Sequence, residues 1–172
     1  MDHHDQQNQF QTVFFLKENK GKKMSTIKSF RGLIADGAQE VIHLHTNDGS
    51  TGYKIVKFEL FPAKPGAASQ ESVVKIYKVA QTVNDGIVDF SDNTMLAAGY
   101  LLNHLTATDN PAYMDVVFDK EIFNQDIYVT HNDVKGSESV NYYIELEQVK
   151  LDLNSNTVAT LKDMRNTATP LP

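Results

Sequence analysis

The stretch Lys54-Ile55-Val56-Lys57-Phe58-Glu59-Leu60 contains the clearest strand signal in this chain of 172 residues. Side chains alternate between the two faces of an extended chain, which places Val56, Phe58 and Leu60 on one face. Lys57 and Glu59 fall on the opposite face. The alternation therefore predicts a β-strand with one buried face.

Other short strand candidates follow at fairly even spacing, separated by turns. Asp36-Gly37 separates the first two, and an exposed loop of about eight residues is expected over 62–69, where prolines and small residues favour turns. Val73–Val79 is rich in β-branched residues but does not show which face is buried. The candidates besides 54–60 are Phe30–Ile34, Val41–His45, Val73–Val79, Met114–Phe118, Ile127–Thr130 and the long segment Val140–Leu153.

Helix signals are few. Asn154, Ser155 and Asn156 offer capping side chains, and the apolar residues that follow predict a short C-terminal helix near 156–165. Ser91 or Asp92 would cap a second helix near 92–98, although strand alternation fits residues 96–102 equally well. The chain is therefore predicted to be all-β, an antiparallel β-sandwich with the jelly roll as one of its forms.

The last long strand candidate contains a change of phase. Its apolar residues occupy even positions before residue 147 and odd positions after it, namely Val140, Tyr142, Ile144 and Leu146 against Val149, Leu151 and Leu153. Because a shift of one residue exchanges the two faces of a strand, we expect a β-bulge at Gln148. Such bends are common where a strand passes from one sheet of a sandwich to the other.

Composition excludes several classes of function. The chain contains no cysteine, which rules out disulfide frameworks, thiolate metal sites and cysteine nucleophiles. Its formal net charge of −6 removes the electrostatic basis of nucleic-acid binding. The longest apolar run, Met95–Leu102, is too short for a membrane span, and the N-terminus lacks the pattern of a secretory signal. Phosphate-loop, dinucleotide and hydrolase motifs are absent as well, so no cofactor, nucleic acid or membrane partner is expected.

Residues 1–24 differ from the rest and are predicted to form an N-terminal arm or extension. Residues 1–23 carry a net charge of +1, which leaves −7 for the remainder. Too few apolar side chains are present to offset the entropy lost on ordering so polar a segment, so a flexible arm is expected. Its candidate assembly contacts are Phe10, Val13, Phe14, Phe15 and Leu16.

Two explanations of this arm remain open. It is either a strap that docks on a neighbouring subunit or a translated ribosome-binding sequence, Gly21-Lys22-Lys23, before a biological start at Met24. The remaining chain divides into a β-sandwich domain over 25–166 and a C-terminal tail over 167–172.

His43-Leu44-His45 is the sharpest candidate for a metal site. Residues i and i+2 of a strand share a face, so both imidazoles could reach one metal, as they do in cupins. A further ligand would have to come from Asp48, His104 or His131, and the glycine spacing of cupins is absent. We therefore expect His43 and His45 to be polar residues on the wet face of a half-buried strand, with no metal bound.

Two other polar patterns have simple structural interpretations. Thr46-Asn47-Asp48-Gly49-Ser50 resembles part of a calcium loop but lacks its full ligand spacing, so a hairpin turn is expected. Glu145 and Glu147 would suit glycosidase chemistry in a cleft. Two positions apart on a strand, however, they are expected to form an ordinary polar sheet face, and no catalytic residue is assigned.

Four stretches of the chain carry a resemblance to a known group of proteins: 52–60, 73–79 with 88–92, 122–131, and 141–152 with 158–165. Together they resemble the small β-rich virion structural proteins of tailed bacteriophages, many of them marine. The resemblance covers residues 25–165 and consists of strands and turns, with no catalytic motif to carry across. It implies a virion protein that is assembled in the host cytoplasm and binds the major capsid protein or other virion proteins.

Three functions are therefore considered, of which the first is favoured. The chain is expected to be an auxiliary capsid protein of the decoration or cement type, or else a tail-associated adaptor, and not an enzyme. The alternative is a carbohydrate-binding module for a host-surface receptor, in which Tyr128, Tyr142 and Tyr143 stack on sugars. A cupin-like metal enzyme is the least favoured.

A homo-oligomer is also expected, with a trimer favoured over a dimer. Ile127–Thr130 and Val140–Ile144 carry no charge, so as sheet edges they would need cover from a neighbouring chain. Alternatively, both segments are central in the sheets of the monomer. Capsid lattices offer threefold positions, and a head-to-tail interface can close into a ring there.

Overall fold

The computed structural model describes residues 26–44, 50–67, 69–103 and 113–152, together with residues 154, 157, 158 and 161. Every strand pairing within this part of the chain is antiparallel. The predicted all-β class is confirmed. The strands are β1 Ile27–Ile34, β2 Gln39–Ile42, β3 Thr51–Pro62, β4 Gln70–Tyr77, β5 Met95–Asn103, β6 Tyr113–Phe118, β7 Ile127–Asp133 and β8 Val140–Lys150.

The strands form two sheets that pack face to face as a sandwich. One sheet has the order β1-β8-β3, and the other has the order β2-β7-β4-β5-β6. β1 pairs with β8, β2 with β7 and β4 with β5, which is the nested order of a jelly roll. β6 departs from that order because it pairs with β5 rather than with β3.

The core lies between the two sheets. Phe58 and Ile144 of the three-stranded sheet and Val74 and Ile76 of the five-stranded sheet are all at most 2% exposed. Alternation along β3 explains this burial on one side, since Phe58 points inward and its neighbours Lys57 and Glu59 do not.

The predicted bulge at Gln148 is wrong, because the register of β8 continues unbroken through that residue to Lys150. The irregularity lies in the partner strand β3, opposite Glu145 and Leu146. Ile55 pairs with Leu146 and Lys57 pairs with Glu145, which leaves Val56 as the extra residue. Ile55 is therefore buried before the bulge, and Val56 does not share the inward face of Phe58 and Leu60 as expected.

The helix considered near 92–98 is also wrong, since that segment leads into strand β5. From Ala97 onward, the residues of β5 that face the core are odd-numbered, whereas Leu96, beside the register shift, is in the core as well. Gly99 is one of them, because a Cβ there would lie 2.8 Å from Leu60 Cδ1 and 2.9 Å from Phe58 Cε1. A larger side chain at this position would collide with the facing sheet, which accounts for the glycine.

The turns are partly as predicted. The Asp36-Gly37 turn is confirmed: Gly37 has a φ of 69°, and the Ala38 N–H donates to the Ala35 carbonyl at 3.2 Å. The hairpin expected at Thr46–Ser50 is wrong, since β2 and β3 on either side belong to different sheets. Residues 45–49 themselves lie outside the described residues.

Other predicted features also fall outside the described residues. These are the N-terminal arm with its five candidate contact residues, His45 and His104. Of the predicted C-terminal helix, Thr157, Val158 and Leu161 are described, and they are helical and exposed.

The two uncharged segments that seemed to need cover are central strands. β7 lies between β2 and β4, and β8 lies between β1 and β3. The monomer therefore protects Ile127–Thr130 and Val140–Ile144 by its own pairing, and the edge argument for an oligomer no longer holds. The sheet edges are β1, β3, β2 and β6.

Candidate interaction surfaces

His43 lies just after β2 with an exposed ring. Its Nδ1 is 2.8 Å from Asp126 Oδ2, and the Leu44 N–H donates to Asp126 Oδ1 at 2.8 Å. Asp126 precedes β7, so these two contacts fasten the end of β2 beside the beginning of β7. The histidine therefore has a structural partner at a sheet edge.

His131 is inside the protein, on β7, and is 1% exposed. Its Nε2 lies 2.8 Å from Ser72 Oγ, and Gln70 Nε2 donates to the same hydroxyl at 2.8 Å. Burial lowers the pKa of the His131 ring, although Asp36 and Asp133 act in the opposite direction. Within the described ranges, no three histidine or carboxylate side chains come together in a way that could hold a metal ion.

Glu145 and Glu147 lie on the outer face of the three-stranded sheet. Glu145 Oε1 accepts the Tyr143 hydroxyl at 2.8 Å, and this hydrogen bond is the main reason why the pKa of Tyr143 is raised. Glu147 Oε2 is 2.7 Å from Lys54 Nζ. The predicted polar sheet face is confirmed, and both carboxylates have partners on it.

The three tyrosines proposed to stack on sugars do not form a common platform. Tyr142 points into the sandwich, where its hydroxyl donates to Glu40 Oε2 at 2.8 Å. Tyr143, the next residue of β8, is on the opposite face of the same sheet. Tyr128 is on β7 in the other sheet.

The first candidate surface is a groove of about 620 Å³ across the outer face of the three-stranded sheet, which we call the outer groove. It crosses all three strands. Arg31 of β1 and Glu59 of β3 both pair with Tyr143 of β8, so the three side chains lie side by side. β6 closes one side, where the Leu60 N–H donates to Met114 Sδ at 3.3 Å. The principal side chains that line the outer groove are Arg31, Glu59, Phe61, Met114, Asn141 and Tyr143.

Of the charged side chains that line the outer groove, Glu59 has an ion-pair partner among the described residues and Arg31 does not. Glu59 Oε1 is 3.2 Å from Lys57 Nζ, so this carboxylate already has a cation beside it. Lys57 Nζ also lies over the Tyr143 ring, 5.3 Å from its centroid. Arg31 is exposed, and no carboxylate in the described part of the chain lies within ion-pair distance of it. The groove is therefore mostly apolar and has one uncompensated cation.

The second candidate surface is the segment 78–94, which we call the β4–β5 loop. It crosses the outer face of the five-stranded sheet, where Val73 and Tyr77 of β4 are 5% and 6% exposed. The Gln81 N–H donates to Gln39 Oε1 at 2.7 Å, which ties the loop to β2. Loops of this length inside a compact domain are usually functional.

Lys75 anchors this loop to the sheet. It points outward from β4 yet is 3% exposed, because the loop covers it. Its Nζ lies 3.0 Å from Asp85 Oδ1 and donates to the Ile87 carbonyl at 2.8 Å. The hydrogen bond from Lys75 is the main reason why the pKa of the Asp85 carboxyl is lowered.

Two consecutive turns then fix the end of the loop that leads into β5. Asp89 Oδ1 accepts the N–H and the hydroxyl of Ser91 at 2.8 and 2.7 Å, and Asp92 Oδ1 accepts the same two groups of Thr94 at 2.8 and 2.7 Å. These are Asx turns, which hold the backbone without help from a sheet. Phe90 is the middle residue of the first turn, and its side chain is exposed to solvent, at 68%.

The β4–β5 loop thus presents an ordered apolar surface to solvent. Four large apolar side chains of the loop are exposed by 39–70%: Val83, Ile87, Val88 and Phe90. In the sequence, this region stood out only as part of the resemblance and as a helix candidate. The available signal was the repeated pattern Asp-x-Ser, Asp-x-Thr over residues 89–94.

A smaller aromatic surface lies elsewhere on the outer face of the five-stranded sheet. The rings of Tyr100 and Tyr113 are 6.3 Å apart and inclined at 55°. Tyr100 donates its hydroxyl to Glu71 Oε1 at 3.0 Å, and Tyr113 donates to Asp115 Oδ2 at 3.3 Å. Here tyrosine rings do stand beside carboxylates, although they are not the tyrosines singled out in the sequence.

Among the described residues, no helix is both long enough and apolar enough to cross a membrane. No protein-family model matches the chain, and no curated protein matches it in sequence. Its function therefore has to be inferred from its own surfaces.

Proposed function

We propose that this protein is a non-enzymatic structural component of a tailed-bacteriophage particle, an auxiliary capsid protein that binds other virion proteins. The observation that carries the proposal is a pair of exposed apolar surfaces on opposite outer faces of a jelly roll. Contiguous apolar surfaces that remain exposed on a folded domain commonly mark protein–protein contacts. The resemblance of residues 25–165 to phage virion proteins supports the same function.

The polar groups of the molecule also favour a binding role. Ser72 and His131, which form a hydrogen-bonded pair of the kind used by nucleophilic enzymes, are 0% and 1% exposed, so no substrate reaches them. Glu145 and Glu147 are engaged on an open sheet face. These described residues act through packing and hydrogen bonding.

The test is the composition of purified particles. We expect mass spectrometry of gradient-purified virions of the encoding phage to detect the chain at a fixed copy number per capsid, and cryo-electron microscopy to locate it on the shell. Deletion of the gene should yield particles that lose their DNA at lower temperature. Absence of the chain from infectious particles would overturn the proposal, and density on the tail alone would replace the capsid role with that of an adaptor.

Carbohydrate binding is the second candidate, and the Tyr100–Tyr113 pair favours it. Tyr113 is 53% exposed, and Lys135 Nζ lies 3.0 Å from Glu71 Oε2, so aromatic, cationic and anionic groups adjoin one another. An exposed ring with hydrogen-bonding groups beside it suits the apolar and hydroxyl faces of a sugar.

A glycan array probed with the full chain would test this candidate. Binding that disappears in Tyr113→Ala and persists in Tyr143→Ala, a tyrosine on the other sheet, would support it. If no glycan binds at high protein concentration, sugar recognition is excluded as a role of this surface.

A further inference from the structure

The outer groove and the β4–β5 loop have complementary chemistry. The groove is concave and mostly apolar, and its exposed Arg31 has no carboxylate beside it within the described part of the chain. The loop exposes apolar side chains, and Asp89 lies between exposed Val88 and Phe90. The loop therefore supplies an apolar side chain to fill the groove and a carboxylate to pair with Arg31.

We propose that the β4–β5 loop of one copy docks in the outer groove of a second copy of this chain, with Phe90 in the groove and Asp89 paired with Arg31. This inference deepens the proposed function, on which it rests in taking the protein to be an assembly component. It names the partner of both apolar surfaces as the protein itself.

The carboxylate of Asp89 is suited to such a pair. Both hydrogen bonds from Ser91 go to Oδ1, so Oδ2 has no hydrogen-bond partner among the described residues. The hydrogen bond from the Ser91 side chain also lowers the pKa of Asp89, which keeps the group ionised. An arginine can then donate to the open oxygen without disturbing the turn that presents Phe90.

The positions of the two surfaces determine the symmetry of the assembly. The groove is on the outer face of the β1-β8-β3 sheet, and the loop is on the outer face of the other sheet. Since these faces point in opposite directions, two copies cannot each place a loop in the groove of the other. The contact is heterologous, so it continues from copy to copy and yields an assembly of three or more chains. The assembly is a ring where the rotation between copies closes and an open filament where it does not.

A double-mutant cycle tests this contact in the full-length protein. We expect sedimentation velocity to show assemblies of three or more copies for the wild type. Arg31→Gln and Asp89→Asn should each weaken self-association about tenfold or more. Asparagine at position 89 keeps an oxygen that accepts from Ser91, so the turn is retained. The double variant should associate to within a few-fold of either single variant, because both changes break the same ion pair.

Matched controls separate the contact from general charge effects. Lys150→Gln removes the charge of an exposed residue on the same sheet as Arg31, and Asp115→Asn does the same on the sheet that the loop covers. Both should associate like the wild type. Circular dichroism verifies that every variant folds, and Phe90→Ser provides a second disruption that alters no charge.

Three results would overturn the proposal: a wild type that stays monomeric at 100-fold the concentration used for the variants, a dimer as the final species, or losses in the two single variants that add in full in the double variant. None of these results bears on whether the chain is found in virions. Failure of self-docking and failure of the virion role are therefore distinguished by sedimentation and by particle composition.

Discussion

The outer faces of the two sheets differ although both are built from alternating strands. On the three-stranded sheet, Lys57 pairs with Glu59 at 3.2 Å and both side chains remain 43–50% exposed. On the five-stranded sheet, Lys75 pairs with Asp85 at 3.0 Å, but the lysine side chain is 4% exposed. The same kind of ion pair is thus a surface feature on one face and a buried anchor on the other.

The difference originates in a connection between strands. The β4–β5 loop covers β4 from outside, so β4 is buried on both faces and its sequence shows no alternation. No comparable segment among the described residues crosses the three-stranded sheet, and β3 keeps its alternation. A run such as Val73-Val74-Lys75-Ile76-Tyr77 therefore indicates a covering segment, and its single lysine marks where that segment is attached.

The largest effect on stability is expected from a comparison of the two faces of β3. Phe58→Ala empties a position that is 2% exposed between the sheets, and we expect the free energy of unfolding to fall by about 3–5 kcal/mol. Phe61→Ala is the matched control, since the same side chain on the same strand is 62% exposed. It should change the stability of the dissociated chain by less than about 0.5 kcal/mol, as measured by urea titrations at low protein concentration. Equal losses would mean that the outer groove is covered in the isolated protein.

The two lysines test the comparison directly. Lys75→Met retains the aliphatic packing but removes both contacts to the loop, and we expect a loss of about 1–3 kcal/mol, with faster amide exchange over residues 83–92. Lys57→Met removes an exposed pair and should leave stability nearly unchanged. A Lys75→Met protein with unchanged exchange in the loop would show that Asx turns alone hold it.

A pH titration extends the comparison to the interior side of the five-stranded sheet. Burial lowers the folded-state pKa of His131 below its ordinary value of 6.5, so the unfolded chain takes up a proton first as the pH falls. The stability associated with the neutral ring is complete above about pH 6.5 and is lost on acidification below it. We expect His131→Gln to lose stability less steeply below pH 6.5 than the wild type, as measured by urea unfolding at a series of pH values. A slope as steep as that of the wild type would assign the acid sensitivity to other groups, such as Asp133.

The smallest effect is expected at the edge of the same sheet. The contact between His43 and Asp126 joins an exposed imidazole to a carboxylate, and His43→Gln should change the free energy of unfolding by less than about 0.5 kcal/mol. His45→Gln should be equally mild, since the sequence predicts a structural role for both histidines. Elemental analysis of protein purified without added metal provides the second measurement. Stoichiometric zinc, iron or manganese that is lost in either variant would contradict this expectation.

The fold class followed from local patterns, whereas the errors came from features that depend on neighbouring strands. The alternation of Phe58 with Lys57 and Glu59 is a property of one strand, and it identified the buried face correctly. The position of the bulge is a property of a pair, so a change of phase noted near Gln148 gave no sign of the extra residue at Val56. Gly99 is a second example, because the side chains that exclude a larger residue there, Phe58 and Leu60, belong to the facing sheet.

The candidate surfaces were less predictable than the fold. Nothing local to Arg31 shows that it stands in a row with Tyr143 and Glu59, since register is set by long-range pairing. The turns at Asp89 and Asp92 are local and could have been read from their spacing. The exposure of Phe90, however, requires that the loop be tied down through Lys75.

The pairing of the first strand with the last has a consequence for biosynthesis. Ile34 of β1 pairs with Val140 of β8, so β1 leaves the ribosome more than a hundred residues before its partner is made. At about 5–20 residues per second, it remains without a partner for roughly 5–20 s. During this interval an extended segment with an apolar face is exposed to other nascent chains, and folding is further slowed by the high contact order of such pairing. Expression at lower temperature or with chaperones that bind extended segments should therefore raise the yield of folded protein.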